Sequence, residues 1–372
     1  MSSEGSGAAA AASSSAAGSG ESERRRNVDL VFEGGGVKGI ALVGALEALE
    51  QHGFVAQNMA GASAGAIVAV LYAAGYTPGE LYEILKRLEF RDFLDKGWED
   101  RVLGVSYPLS ILKDQGIYEG DVFREWLADL LAARGKHTFG DLVHPDHSDD
   151  PRFRHRAQVV VSDLTARRML VLPRDSERFL GVDPDELSIA EAVRMSMSIP
   201  IFFEPVAFTV EKDGDDRILG EHVLVDGGML SNFPVHVFDV DGEPDWPTFG
   251  LLLTEPEARA SEGREITGVK PAQGPVAKTL DYAKSVLETL LEAHDRMYLE
   301  AADFARTIPI DSLGVKTTEF DLGDADKDAL YESGRRAAEA FLQGWSFDAY
   351  IEHFRVGTVP SRRENLSRLM AN

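Results

Sequence analysis

Ser63 stands between Gly61 and Gly65, with Ala62 and Ala64 filling the gaps. This is the G-x-S-x-G spacing of a nucleophile elbow, where a strand turns sharply into a helix and presents a serine at the bend. Nothing larger than a methyl group crowds the turn, as a strained bend with neighbouring chain close by requires. The next residues, Ala64 to Ala74, are apolar on nearly every face and predict a buried helix, with Gly75 as its C-cap. Ser63 then lies at a helix N-terminus, where the dipole favours negative charge developing nearby. The spacing alone decides little, because small-residue runs entering alanine-rich helices also produce it.

Acyl transfer needs a nucleophile, a base, and donors for the oxyanion of the tetrahedral intermediate. Gly34, Gly35 and Gly36 follow the apolar run Val28 to Phe32 and precede a helix. Without side chains, their N–H groups can approach a substrate oxygen. Asp226 ends the apolar run Val223 to Val225 and is followed by Gly227 and Gly228, which leave room for another side chain. It is the candidate base.

Other chemistry fits these stretches less well. Gly34 to Gly39 has G-x-G-x-x-G spacing, but a dinucleotide site wants an acidic ribose ligand about 20 residues further on. Val55 to Ala62 supplies none, and no Lys-Ser/Thr pair closes a P-loop, so no nucleotide is expected. A Ser-Asp-His triad would draw on His236, His294 or His353, none in a glycine-rich context; each reads as a surface or packing residue. His144-Pro145-Asp146-His147 lacks a third ligand. The aspartates at 239, 241 and 245, and at 321, 324, 326 and 328, miss the EF-hand spacing. No metal and no cofactor are expected.

In this order, Glu33-Gly-Gly-Gly-Val-Lys-Gly-Ile, Gly61-Ala-Ser-Ala-Gly and Asp226-Gly-Gly resemble the patatin-like phospholipases. The resemblance takes in Ser196-Met-Ser-Ile-Pro-Ile-Phe-Phe-Glu-Pro-Val and Asp226-Gly-Gly-Met-Leu-Ser-Asn-Phe-Pro, and covers residues 28–238. It implies a three-layer α/β/α fold with a largely parallel sheet and helices on both faces. It also implies a Ser–Asp dyad that hydrolyses acyl esters of lipids. Carried over, Ser63 is the nucleophile, Asp226 the base, and Gly34, Gly35 and Gly36 the oxyanion loop. Lys38, Gly39, Gly61, Gly65, Gly227 and Gly228 support these motifs. Lys38 stands where many relatives have Arg, which loses the guanidinium fork. Glu33 stands where Asp is common. The rival readings are a soluble carboxylesterase or thioesterase with the same dyad, and a silent lipid-binding protein of the same fold.

Short strands alternating with helices position these residues and predict an α/β domain. A helix is expected from Val37 to His52. Thr77-Pro78-Gly79-Glu80 reads as a capping box opening a helix to Leu88, and Ser188 to Glu191 as another. Further helices are expected over 121–134, 280–298 and 326–342, and strands over 157–161, 169–172, 249–253 and 305–310. Residues 90–118 are rich in apolar groups and read either as a lipid-facing lid or as ordinary packing under a long connection. Residues 254–275 read as a polar loop.

Residues 1–26 read as a disordered Ser/Gly/Ala-rich tail, 27–238 as the catalytic core, and 239–372 as completing the same domain. The tail closes on Arg24-Arg25-Arg26, the reverse of a signal peptide's order. No apolar run reaches the ~20 residues of a membrane span. The expected setting is therefore cytoplasmic, with transient peripheral membrane contact and a lipid ester as the partner. The 62 acidic against 38 basic residues leave a net charge of −24, which argues against nucleic acid and strongly anionic membranes. The absence of cysteine excludes disulfides, thiolate metal sites and cysteine nucleophiles.

Overall fold

The computed structural model describes residues 26–88, 119–144, 149–211, 214, 217–254, 300–317, 319 and 321–355. The segment 90–118, the loop and helix expected over 255–298, His294, and Pro145 to His147 lie outside them.

Strand β1 (Asn27–Phe32) leads through a 3-10 turn (Gly36–Lys38) into helix α1 (Gly39–Gln51). Then come β2 (Val55–Ala62), α2 (Ala64–Ala73), α3 (Pro78–Arg87) and α4 (Glu119–Ala132). Strands β3 (Ala157–Asp163) and β4 (Arg168–Leu172) are followed by α5 (Ser176–Leu180) and α6 (Ile189–Ser196). After β5 (Val206–Val210), β6 (Gly220–Asp226) and β7 (Thr248–Thr254) come α7 (Ala301–Phe304), β8 (Thr307–Asp311), α8 (Asp324–Gly344) and α9 (Phe347–Phe354).

Local chemistry accounts for the boundaries. At α3, Thr77 Oγ1 accepts from Glu80 N at 3.3 Å while Glu80 Oε2 accepts from Thr77 N at 2.9 Å, and Pro78 fills the first helical position. Ser188 Oγ caps α6 by accepting from Glu191 N at 3.3 Å. Helix α2 is buried at every position but Tyr72, as its all-round apolar sequence requires.

The strands form one sheet in the order β5-β6-β3-β2-β1-β7-β8, with β4 pairing β3 off that path. Strands β3, β2, β1, β7 and β8 are mutually parallel, whereas β4 and β6 run antiparallel to β3 and β5 antiparallel to β6. The α/β class with a largely parallel sheet flanked by helices is therefore as expected. Strands β7 and β8, from beyond residue 238, extend the same sheet.

The pleat divides the core. Leu30, Phe32, Met59, Val159, Val161 and Leu251 face a large cluster shared with the buried residues of α1, α2, α3, α4, α6 and α8. Val31, Ala60, Ala62, Val160, Val171 and Leu252 face the other way, onto Phe233, Val235, Val237 and Phe238. Among the described residues, that second face is covered chiefly by the irregular chain after β6. Helix α8 lies close against α1 because Gly44 and Gly334 meet backbone across the contact, where a Cβ on either would collide with a carbonyl oxygen. No helix among the described residues is long and apolar enough to cross a membrane.

Candidate active site

Two strands deliver the candidate nucleophile and base to one point. Strand β2 ends with Ala62 opposite Val160, and β6 ends with Asp226 opposite the next residue, Val161. Strand β4 occupies residues 159–163 along the other edge of β3. Strands β2 and β6 therefore share one edge and arrive from opposite directions, so their C-terminal ends meet. In a largely parallel sheet, this is where ligands bind.

Ser63 caps α2 with φ 51° and ψ −127°, a conformation a side-chain-bearing residue holds only under constraint, at a cost of about 1–3 kcal/mol. The flanking glycines make the bend feasible. A Cβ on Gly65 would strike the carbonyls of Phe32 and Glu33, and one on Gly61 would strike the backbone of Gly65. Ser63 is 3% exposed, its N–H donates to Ser196 Oγ at 2.9 Å, and its hydroxyl lies 3.7 Å from Met197 Sδ.

Asp226 is completely buried. Its N–H donates to Ser198 O at 3.0 Å, its Oδ1 accepts from Gly228 N at 2.8 Å, and its Oδ2 has no hydrogen bond among the described residues. Burial pushes the carboxyl up to about 7, against the pull of the nearby Ser63 hydroxyl and the Gly228 amide. The hydroxyl is near enough to exert that pull but is turned toward Met197 rather than aligned with Oδ2. A carboxyl that titrates near neutrality, with one oxygen unspent, is suited to accept a proton.

Gly227 serves a purpose the sequence reading misassigned. The space above it is filled by Val160 O, which a Cβ would strike, so it admits backbone of β3 rather than another side chain. The candidate oxyanion loop is narrowed as well. Gly34 N–H donates to Asn232 O at 2.9 Å, so Gly34 is not a free donor, and among the described residues the candidate donors left are the N–H groups of Gly35 and Gly36. Gly36 has φ 54° and lies against Thr317 O. Lys38 is buried in the turn, with its N–H on Gly35 O, and Gly39 opens α1 against Ala64.

Sequence reasoning missed two residues that hold this loop. Asn232 Nδ2 donates to Gly34 O at 2.8 Å and to Glu33 Oε1 at 3.3 Å, while Glu33 Oε2 accepts from Leu253 N at 2.5 Å. The buried Glu33 carboxylate thus ties the loop to β7 and to the chain after β6. Both residues lie inside the quoted motifs, which was the available signal.

The described candidate histidines have other partners. His236 is exposed and pairs with Asp239 at 2.9 Å in a cluster with Asp303 and Arg306. His353 Nδ1 meets Ala349 O within α9. Buried His222 has a triad-like pairing with Asp163 at 2.7 Å, but its other ring nitrogen is taken by Ile218 O at 2.6 Å. It is a packing residue four positions before Asp226. No group of three or more His, Cys, Asp or Glu among the described residues could hold a metal ion.

The chain is 37% identical over 323 residues to protein YqhO of Bacillus subtilis (strain 168), covering 86% of this chain and 99% of that one. It is 26% identical over 354 residues to neuropathy target esterase sws of Drosophila melanogaster, covering 92% of this chain and 22% of that one. Over 210 residues it is 25% identical to probable lipid hydrolase 463L of Invertebrate iridescent virus 6, covering 56% and 62%. Among solved structures, VipD from Legionella pneumophila aligns with a TM-score of 0.49 at 18% identity, covering 86% of this chain and 67% of that one. A model of the patatin-like phospholipases matches residues 30–239, and the chain belongs to that family.

Proposed function

We propose that this chain is a serine lipid acyl hydrolase of phospholipase A type, with Ser63 as nucleophile and Asp226 as base. The observation that carries the reading is the meeting of β2 and β6 on adjacent residues of β3. It sets a serine on a strained bend beside a buried carboxyl that has an unspent oxygen.

Asp226 accepts the Ser63 proton as Oγ attacks the acyl carbonyl of a lipid ester. The carbonyl oxygen becomes an oxyanion facing the Gly35 and Gly36 N–H groups, with the α1 and α2 N-termini favouring its charge. Collapse breaks the ester C–O bond, and Asp226 returns the proton to the departing alcohol. Water then enters, gives a proton to Asp226, and adds to the acyl-serine carbonyl. The second collapse frees the fatty acid and restores the proton to Ser63. No histidine is needed. The names of two relatives, a probable lipid hydrolase and an esterase, support a lipid ester as substrate. The net charge of −24 favours zwitterionic or neutral lipid over anionic vesicles.

A fluorophosphonate probe should label the wild type at Ser63 and leave Ser63→Ala unlabelled. Phosphatidylcholine vesicles should yield fatty acid and lysophospholipid with the wild type alone. Fatty acid release by Ser63→Ala at the wild-type rate would remove the reading.

A further inference from the structure

The motif Ser196-Met197-Ser198 has no part in the acyl-transfer steps, yet it touches both reacting residues. Ser196 is the last residue of α6 and is fully buried. Its place becomes clear from the hydrogen bonds between β2 and β3. Parallel ladders repeat every second residue, and Met59 N–H donates to Arg156 O at 2.7 Å. By the register of the two strands, the same series would continue to Gly61 N–H with Gln158 O, and then to Ser63 N–H with Val160 O. That last bond is replaced. Ser63 N–H donates instead to Ser196 Oγ at 2.9 Å, and Ser196 Oγ donates to Val160 O at 2.6 Å. A hydroxyl from 133 positions away in sequence is inserted into the rung.

We infer that Ser196 is a positioning residue that holds the end of β2 off β3 and fixes Ser63 in its bend. This inference rests on the proposal that Ser63 is the nucleophile. A hydroxyl has one proton, and Val160 O takes it, so the oxygen presented to Ser63 N–H can only accept. The direction of both bonds is therefore set, and with it the spacing between the strands. The next two residues complete the grip, because Met197 Sδ lies against Ser63 Oγ and Ser198 O accepts from Asp226 N. One turn thus sets the distance between nucleophile and base.

Removing this hydroxyl has an unusual consequence. In Ser196→Ala, Ser63 N–H and Val160 O face one another with nothing between them, and closing the rung satisfies both. Stability is then largely kept while Ser63 is drawn toward the strand. Ser176 is the control. Its buried hydroxyl donates to Val182 O at 2.9 Å, within the segment between β4 and α6, so its loss should lower stability without touching the chemistry.

The test compares steady-state hydrolysis of a short p-nitrophenyl ester and melting temperature for wild type, Ser63→Ala, Ser196→Ala and Ser176→Ala. Ser196→Ala should lose on the order of 100-fold in kcat with KM changed by less than about threefold, as a misplaced reacting group does. Its melting point should stay near the wild type. A folded Ser196→Ala with kcat within about threefold of wild type overturns the inference, as does an equal kcat loss in Ser176→Ala. If Ser196→Ala does not fold, Ser196→Cys keeps the volume with a weakly bonding group and reads the same two outcomes. Unchanged activity in Ser63→Ala would instead defeat the nucleophile assignment, which keeps the two failures apart.

Discussion

Asp29 and Asp226 are two buried aspartates in the same sheet, and burial pushes each carboxyl up to about 7. Their surroundings differ. Asp29 lies near the start of β1, where Asn58 donates to Oδ1 through its N–H at 3.1 Å and its Nδ2 at 2.9 Å. Trp246 adds a third donor. Asp226 ends β6 at the mouth of the elbow and has one backbone donor and an oxygen with none. The comparison teaches that a displaced pKa marks burial and does not by itself mark catalysis. An unspent oxygen at the C-terminal end of the strands, beside a strained serine, is the stronger sign.

The largest expected effect separates these two acids by activity. Asp226→Asn removes the base while nearly keeping its shape and should cost roughly four powers of ten in kcat, as Ser63→Ala should. Asp29→Asn should stay within about threefold of wild type, because nothing at the start of β1 reaches the substrate. Measured on one ester, equal losses for the two aspartate variants would break the comparison.

The next effect is on the pH profile. The proposed base works only when ionised, so kcat/KM should rise about tenfold per pH unit on the acid side and level off above about 7. Asp29→Asn should leave that midpoint where it is. A midpoint near 4 would mean that Asp226 is more solvated in solution than its burial implies.

How much of this was legible in the sequence depended on distance along the chain. Gly61 to Gly75, a strand end, a serine and an apolar helix, reads correctly because every determinant is local. The same holds for the capping box at Thr77, whereas at Ser188 only the serine half forms, Ser188 Oγ accepting from Glu191 N. The meeting of β2 and β6 was hidden, because β6 runs antiparallel, a direction set by its pairing with β3 and β5 and by no residue within it. Strand β5 escaped notice because it is a half-exposed edge whose alternation is short. The loss of Gly34 as a donor depends on Asn232, 198 positions away. Glycine in a sequence promises room, and only the fold says what fills it; at Gly227 that is Val160 O.

The smallest effect concerns stability and is confined to Asp29. Its folded pKa, about 7, lies above the ordinary 3.8, so the folded state holds the proton more tightly than the unfolded chain does. The resulting stabilisation is fully present below about pH 4 and is lost as pH rises through about 7. At 1.36 kcal/mol per unit, a shift of about three units amounts to roughly 4 kcal/mol as an upper bound. Asp29→Asn removes this titration while Asp226 and every other group remain. The melting temperature of wild type minus that of Asp29→Asn should therefore fall steadily between pH 4 and 7. Acids whose pKa values are lowered by ion pairs, such as Asp239 and Asp185, lose their contribution at lower pH and cancel in the difference. A flat difference across that window would mean that the three donors around Asp29 outweigh its burial and keep it ionised. The two aspartates would then differ in pKa as well as in position, and the raised value at Asp226 would itself become a mark of the site.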